Sequence, residues 1–307
     1  LPTSRSCPIV RTVVLLLGSG LSDLTDKHFS NRLSAVDSSP LLGRSALILG
    51  DARCLALANE TIHLVVTSPP YGPLKEYPHA IGQLGNLSSY DVFLEELDKS
   101  LSECLRVLVP GGRVCCIVGD VTLSRRKAKR HHVLPLSADV MVRARGLGFD
   151  VLTPIYWFKV GNIQMEASRS SRFLGKPYLP NGIVKNDRET IVMLRKPGYR
   201  KPTPDMEELS RIPKDDYFRW FSQLWTDVPG ASTRNHPAPF PLEIARRLIL
   251  MFSFVGDTVL DPFVGSGTTL RAAIELGRNA IGVDIEPTYI DMAAKRLQGG
   301  YRITGFF

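Results

Sequence analysis

The chain is poor in the residues that build covalent or metal-held scaffolds. Five cysteines (Cys7, Cys54, Cys104, Cys115, Cys116) are scattered over 307 residues with no CxxC spacing. That excludes a disulfide framework and fits a reducing, cytosolic setting. His131 and His132 are adjacent, but no third and fourth ligands stand at a suitable spacing, so no metal is expected. Long apolar runs are missing as well. The longest near the start covers residues 13–17, far below the roughly 18 residues of a membrane span. There is no GK[ST] to hold a nucleotide triphosphate, and Gly18-Ser19-Gly20 has no complete GxGxxG around it. No internal repeat or low-complexity tract is present.

What is there is an ordinary globular mixture, 44% hydrophobic and 22% charged, enough for a large core in one big domain or two smaller ones. Lys and Arg number 38 against 30 acids, a net charge of +8. The excess is regional. Residues 121–150 carry a net +5 and residues 161–235 a net +4, which leaves −1 for all the rest. Such a distribution fits either a solvated basic surface or a polyanionic partner.

From residue 46 onward, strands and helices alternate. Short apolar or β-branched runs at 46–50, 62–67, 113–118, 151–159, 190–194, 258–260 and 280–283 read as strands. Three-to-four spacing predicts helices over 90–108, 136–147, 242–252, 268–276 and 287–297. Pro110-Gly111-Gly112 is expected to end the first of these. Alternation of this kind predicts a mostly parallel sheet with helices on both faces. Residues 161–235 break the rhythm. They mix Pro, Gly, Ser and basic residues with Tyr217, Phe218, Trp220, Phe221 and Trp225, and only 187–194 looks regular. The expected organisation is an N-terminal extension (1–44), a first half of the α/β domain (45–160), an irregular insert with one core strand (161–235), and a second half (236–307). The aromatics of the insert are expected to form a small satellite core.

Two loops carry chemistry. Thr67-Ser68-Pro69-Pro70-Tyr71-Gly72 follows a buried-type strand, the place where open α/β sheets put ligands. The prolines fix φ and donate no backbone hydrogen bond, so their carbonyls and the Ser68 hydroxyl remain as acceptors. Beside an exposed aromatic, they suit a planar substrate presenting an amine. The plainer reading is a rigid turn with Tyr71 as packing. The second loop, Asp261-Pro262-Phe263-Val264-Gly265-Ser266-Gly267-Thr268-Thr269, is a strand end, a Gly turn and a helix start, which allows close backbone approach and favours an anionic group. Asp284 ends the next strand, where a carboxylate can accept from both hydroxyls of a ribose or simply cap a helix. A ligand with a carboxylate at one end and a ribose at the other, such as S-adenosylmethionine, matches this set.

With those residues in view, the sequence resembles the DNA amino-methyltransferases. TSPPYG at 67–72 is similar to their catalytic motif and DPFVGSGTT at 261–269 to their cofactor motif. HPAPFPLEIARRLI at 236–249, which contains Phe240, is similar to the cofactor-flanking helix, and GVDIEP at 282–287 to the ribose-binding motif. Gly50-Asp51-Ala52 resembles the segment that touches the adenine. The resemblance covers about residues 45–298, and the catalytic motif precedes the insert and the cofactor motif, as in the beta subclass.

The resemblance implies a permuted Rossmann-like sheet of seven strands with one antiparallel member, the insert serving target recognition. It implies S-adenosylmethionine as methyl donor, held by Asp51, Ala52, Phe240, Asp261, Pro262, Phe263, Gly265, Ser266, Gly267, Thr268, Thr269 and Asp284. Ser68, Pro69, Pro70 and Tyr71 become the catalytic set, with Tyr71 stacking on a flipped-out base. Ser at position 68 resembles the cytosine-N4 enzymes. Adenine-N6 transfer is the alternative, with RNA or protein as more distant substrates. Double-stranded DNA is the implied partner. Arg125, Arg126, Lys127, Lys129 and Arg130 are candidates for phosphate contacts, and Arg169 and Arg172 (with Lys176, Lys185 and Arg188) for phosphate or guanine contacts. Trp157 and Lys159 are expected to be structural. A bacterial restriction–modification setting follows from the family, with a restriction endonuclease acting on the same site, a monomer or homodimer, and a cytoplasmic, nucleoid-associated location.

Overall fold

The computed structural model describes residues 14–17, 43–72, 81–87, 89–123, 128–159, 180, 184, 186–230 and 240–298. In chain order the elements are β1 (Val14–Leu17), β2 (Ser45–Leu49), β3 (Ile62–Thr67), α1 (Tyr90–Val107), β4 (Leu108–Val118), β5 (Val121–Leu123), β6 (His132–Leu134), α2 (Leu136–Leu147), β7 (Asp150–Phe158) and β8 (Arg188–Arg195). Then come α3 (Pro204–Leu209), α4 (Lys214–Trp220), β9 (Leu224–Trp225), α5 (Leu242–Phe252), β10 (Thr258–Asp261), α6 (Thr268–Glu275), β11 (Asn279–Asp284) and α7 (Pro287–Gln298). Among the described residues no helix is long and apolar enough to cross a membrane.

Among the described residues, nine strands join in one sheet in the order β1-β2-β11-β10-β3-β4-β8-β7-β9. β2, β11, β10, β3 and β4 run parallel, and β8 is antiparallel to both of its neighbours. The seven expected strands are the interior of this sheet. The expected count is corrected by β1 and β9, which extend its two edges. β9 is two residues long and is defined by pairing Leu224 and Trp225 with Tyr156 and Trp157, so no local pattern announces it.

Alternation along the central strands feeds two cores. Leu64 and Val66 of β3, Cys115 and Ile117 of β4, and Ile191 and Met193 of β8 pack on one face with α5, α6 and α7. Ile62 and Val65, Val114, Cys116 and Val118, and Val192 and Leu194 pack on the other with α1 and α2. A strand buried on both faces reads as a near-continuous apolar run, as IHLVVT of β3 does apart from the half-buried His63 and the terminal Thr67. α1 buries Phe93, Leu94, Leu97, Leu101 and Cys104 and carries Asp91 in its first turn and Arg106 in its last, both favourable to its dipole. α2 ends at Gly148, whose left-handed φ of 104° lets its N–H reach back to Ala144 and Arg145.

Two sequence expectations are corrected here. Pro110-Gly111-Gly112 lies inside β4 and does not precede it. Partners jump from Ile62↔Leu108 to Leu64↔Arg113, so residues 109–112 bulge out of the ladder. Gly111, at a φ of 79°, permits this. The insert is also more regular than expected, with α3, α4 and β9 between residues 204 and 225. Its Trp220 and Trp225 join the main core and do not form a satellite. Their indoles cover the buried Arg247 of α5, which is held by bidentate bonds to Asp227 and a bond to Glu243. Trp157 is fully buried and donates to the Val228 carbonyl at 2.8 Å, a structural role as expected.

Candidate functional site

The parallel pairing of β10 with β3, Val259 beside Leu64 and Leu260 beside Val65, sets the carboxyl ends of these strands next to each other. That register brings the 67–72 loop against the 261–269 loop, which are nearly two hundred residues apart in sequence. Their roots are joined directly: Thr67 Oγ1 donates to Asp261 Oδ1 at 2.7 Å, and Thr269 Oγ1 donates to the Val66 carbonyl at 3.1 Å.

Between them opens a cleft of about 540 Å³, continuous with solvent. Nine residues expected from the sequence line it: Asp51, Ala52, Ser68, Pro69, Pro70, Pro262, Phe263, Gly265 and Asp284. Four lining residues were not foreseen, namely Gln83, Leu84, Ile285 and Tyr289. Ile285 and Tyr289 follow Asp284 closely, and their position after a strand end was a usable signal. Gln83 and Leu84 come from a stretch with no periodic pattern, where only the tertiary fold could place them.

Seven expected residues are set back from the cleft. Asp261 is buried beneath it, with its carboxylate bound to Thr67 and to the Phe263 N–H. It braces the loop and does not line the cleft. Thr268 and Thr269 are buried, and Ser266 and Thr268 are gripped by Arg296, whose Nη1 donates to both hydroxyls. Gly267 is where α6 leans on α7: at a φ of 77°, a β-carbon there would come within 3.1 Å of Ala293 Cβ. Phe240 packs against the α5 side of the core. Tyr71, expected to be exposed, is only 7% accessible. Its ring lies in the α1 core, and its hydroxyl donates to Glu189 Oε1 at 3.1 Å. Nothing local to residues 67–72 signals that β8 supplies this partner.

Asp284 holds the centre. Oδ2 accepts from the Gly265 N–H and Oδ1 from the Glu286 N–H, each at 3.0 Å. Burial pushes its carboxyl up to about 7, against the lowering effect of these two bonds. Burial likewise pushes Asp261 up to about 6, with Thr67 pulling the other way. Gly282 has a packing role, because a β-carbon there would fall 2.6 Å from Val264 of the Gly turn. Asp51 is fixed at the rim by the Arg53 guanidinium, which also binds Glu96 and the Gly82 carbonyl. Apolar walls from Pro262, Phe263, Ile285 and Tyr289 around a carboxylate suit a ligand with a flat ring and adjacent hydroxyls.

Of the basic residues, Lys129 and Arg130 are exposed on the hairpin formed by β5 and β6, just beyond the carboxyl end of β4. Arg188, at the start of β8, lies over the Tyr156 ring. Arg125, Arg126, Lys127, Arg169, Arg172, Lys176 and Lys185 lie outside the described residues.

Known proteins point the same way. The chain is 38% identical over 273 residues to the Type II methyltransferase M.MjaI of Methanocaldococcus jannaschii, covering 78% of this chain and 86% of that one. TTHA0409 of Thermus thermophilus, assigned as a DNA modification methylase and solved in complex with S-adenosyl-L-methionine, is 47% identical with a TM-score of 0.69, over 84% of this chain and 94% of that one. The cytosine-N4-specific PvuII DNA methyltransferase shares the fold, with a TM-score of 0.59 at 21% identity over 83% of this chain and 87% of that one. The DNA methylase family model matches residues 62–295, and with it the chain belongs to the N6/N4 DNA methylase family.

Proposed function

We propose that this chain binds S-adenosylmethionine and methylates double-stranded DNA at a specific sequence, on the exocyclic N4 amine of a flipped-out cytosine, as the modification arm of a restriction–modification system. The observation that carries the base assignment is Ser68 at the head of Pro69-Pro70-Tyr71, in the wall of the cleft that Asp284 and Gly265 share. A neutral hydroxyl there both accepts and donates, which suits an amine beside the cytosine ring N3. The bound cofactor supplies a methyl group on a sulfonium, open to in-line displacement.

The chain has to supply orientation and a usable nitrogen lone pair. An aromatic amine is a poor nucleophile because its lone pair is delocalised into the ring. Acceptors at the Ser68 hydroxyl and the Pro69 carbonyl favour a pyramidal nitrogen with a localised pair. Tyr71, buried in the α1 core and bonded to Glu189, anchors the loop that carries these acceptors. Holding the two reactants in line supplies most of the remaining acceleration. Asp284 takes the ribose hydroxyls, and Pro262, Phe263, Ile285 and Tyr289 enclose the adenine. Bases inside a duplex are out of reach, so the target must leave the stack. The basic hairpin and insert supply phosphate contacts that hold the distorted duplex.

The test is incubation with labelled S-adenosylmethionine and DNA, followed by nucleoside mass spectrometry. N4-methylcytosine is the expected product. N6-methyladenine would transfer the reading to adenine, and no label in any DNA tested would overturn it.

A further inference from the structure

One polar chain next to the catalytic loop is unused by this mechanism. Glu189 stands second in β8, opposite Trp157 of β7. Since β8 pairs with β4 through Thr190↔Val118, Glu189 reaches the carboxyl edge of the sheet beside Gly119. A β-carbon on Gly119 would lie 3.4 Å from Glu189 Cγ and 3.5 Å from Tyr71 Cε1, so the two side chains meet over that glycine. There Glu189 Oε1 accepts from the Tyr71 hydroxyl and also from Lys159 Nζ. Glu189 and Lys159 side chains are only 13% and 25% accessible, and the ammonium also lies 5.1 Å from the Trp157 ring centroid. A carboxylate this enclosed needs a cation, and a cation this enclosed needs a carboxylate.

We infer that Lys159 and Glu189 are positioning residues for methyl transfer: Glu189 holds the Tyr71 phenol, and Lys159 holds Glu189. The inference rests on reading residues 67–72 as the catalytic loop. Its physical content is transmission. Pro69 and Pro70 have fixed φ, so restraint on Tyr71 passes to the Pro69 carbonyl and Ser68 with little slack. A misplacement of about 1 Å at reacting groups is worth about 100-fold in rate.

The test is single-turnover methyl transfer, on whichever base the wild type methylates, for Glu189→Ala, Glu189→Gln, Tyr71→Phe, Lys159→Met, and Glu189→Ala combined with Tyr71→Phe or with Lys159→Met. Glu189→Ala is expected to slow transfer about 10- to 100-fold while cofactor affinity stays within about twofold, since neither residue of the dyad lines the cleft. Glu189→Gln should recover most of the rate, because its amide oxygen still accepts from the phenol. Each double variant should be no slower than its slower parent. A wild-type rate in Glu189→Ala, or additive losses in the double variants, would overturn the inference. A second readout is independent of catalysis: the Tyr71 13Cζ resonance, assigned with Tyr71→Phe, should move in Glu189→Ala. An unmoved resonance refutes the pairing even if methylation is normal, whereas a moved resonance with no DNA methylation by the wild type faults the catalytic reading and leaves the pairing standing.

Discussion

Asp284 allows the sharpest separation of a structural role from a binding role. Its two oxygens each accept one buried backbone N–H, from Gly265 and Glu286, both at 3.0 Å. A carboxylate has about four lone-pair sites, so roughly two remain for ribose hydroxyls. Asp284→Asn keeps the shape, but only one atom still accepts. The amide nitrogen then faces an N–H, and one buried donor is left unsatisfied at a cost of about 1–3 kcal/mol in stability. Ribose hydroxyls lose a charged acceptor worth about 1.5–3 kcal/mol per bond, so affinity should fall at least about tenfold. Titration calorimetry at pH 8 with S-adenosylhomocysteine, which binds without turnover, measures this directly. The loss should shrink for an analogue lacking a ribose hydroxyl, because that bond is already absent. A variant with a lowered melting temperature and cofactor affinity within about twofold of wild type would refute the ribose role and leave Asp284 as a loop brace.

Further outcomes follow from the same geometry. Burial holds the Asp284 carboxyl at about 7, above its ordinary 3.8. Its contribution to the stability of the ligand-free protein is therefore full below about pH 4 and lost as pH rises through about 7, while the ionised form is the one that accepts from ribose. Cofactor affinity should thus rise by about tenfold between pH 6 and pH 8, and a flat profile by calorimetry would contradict it. Ser68→Ala should cut the single-turnover rate by about two orders of magnitude with cofactor affinity unchanged, and a normal rate would remove Ser68 from the mechanism. Replacing the basic residues of 125–130 with Gln should weaken DNA binding and lower the salt slope by about one for each phosphate no longer neutralised, with calorimetric cofactor affinity unmoved. Trp225→Ala empties a site that is 1% accessible within the main core, so urea melts should show a loss of about 3–5 kcal/mol in one transition. A separate early transition would mean that the insert folds on its own.

Sequence by itself determined the elements that obey local rules. The apolar runs of β3 and β10, the spacing of α1 and α5, and the Gly148 stop could be read directly, because burial on both faces and the helical period are imposed residue by residue. TSPPYG, DPFVGSGTT and GVDIEP were legible for a related reason: each sits within one strand end and its following turn. Nine of the cleft residues came from those segments and from Asp51-Ala52. Only the tertiary structure decided which members of each motif line the cleft. Asp261 and Tyr71 turned inward because Thr67 and Glu189, far away in the chain, supply their partners. It also placed Gln83 and Leu84 in the wall, merged Trp220 and Trp225 with the main core, and formed β9 from two residues. Such outcomes depend on contacts between distant segments, and a local pattern carries no record of what will lie opposite it.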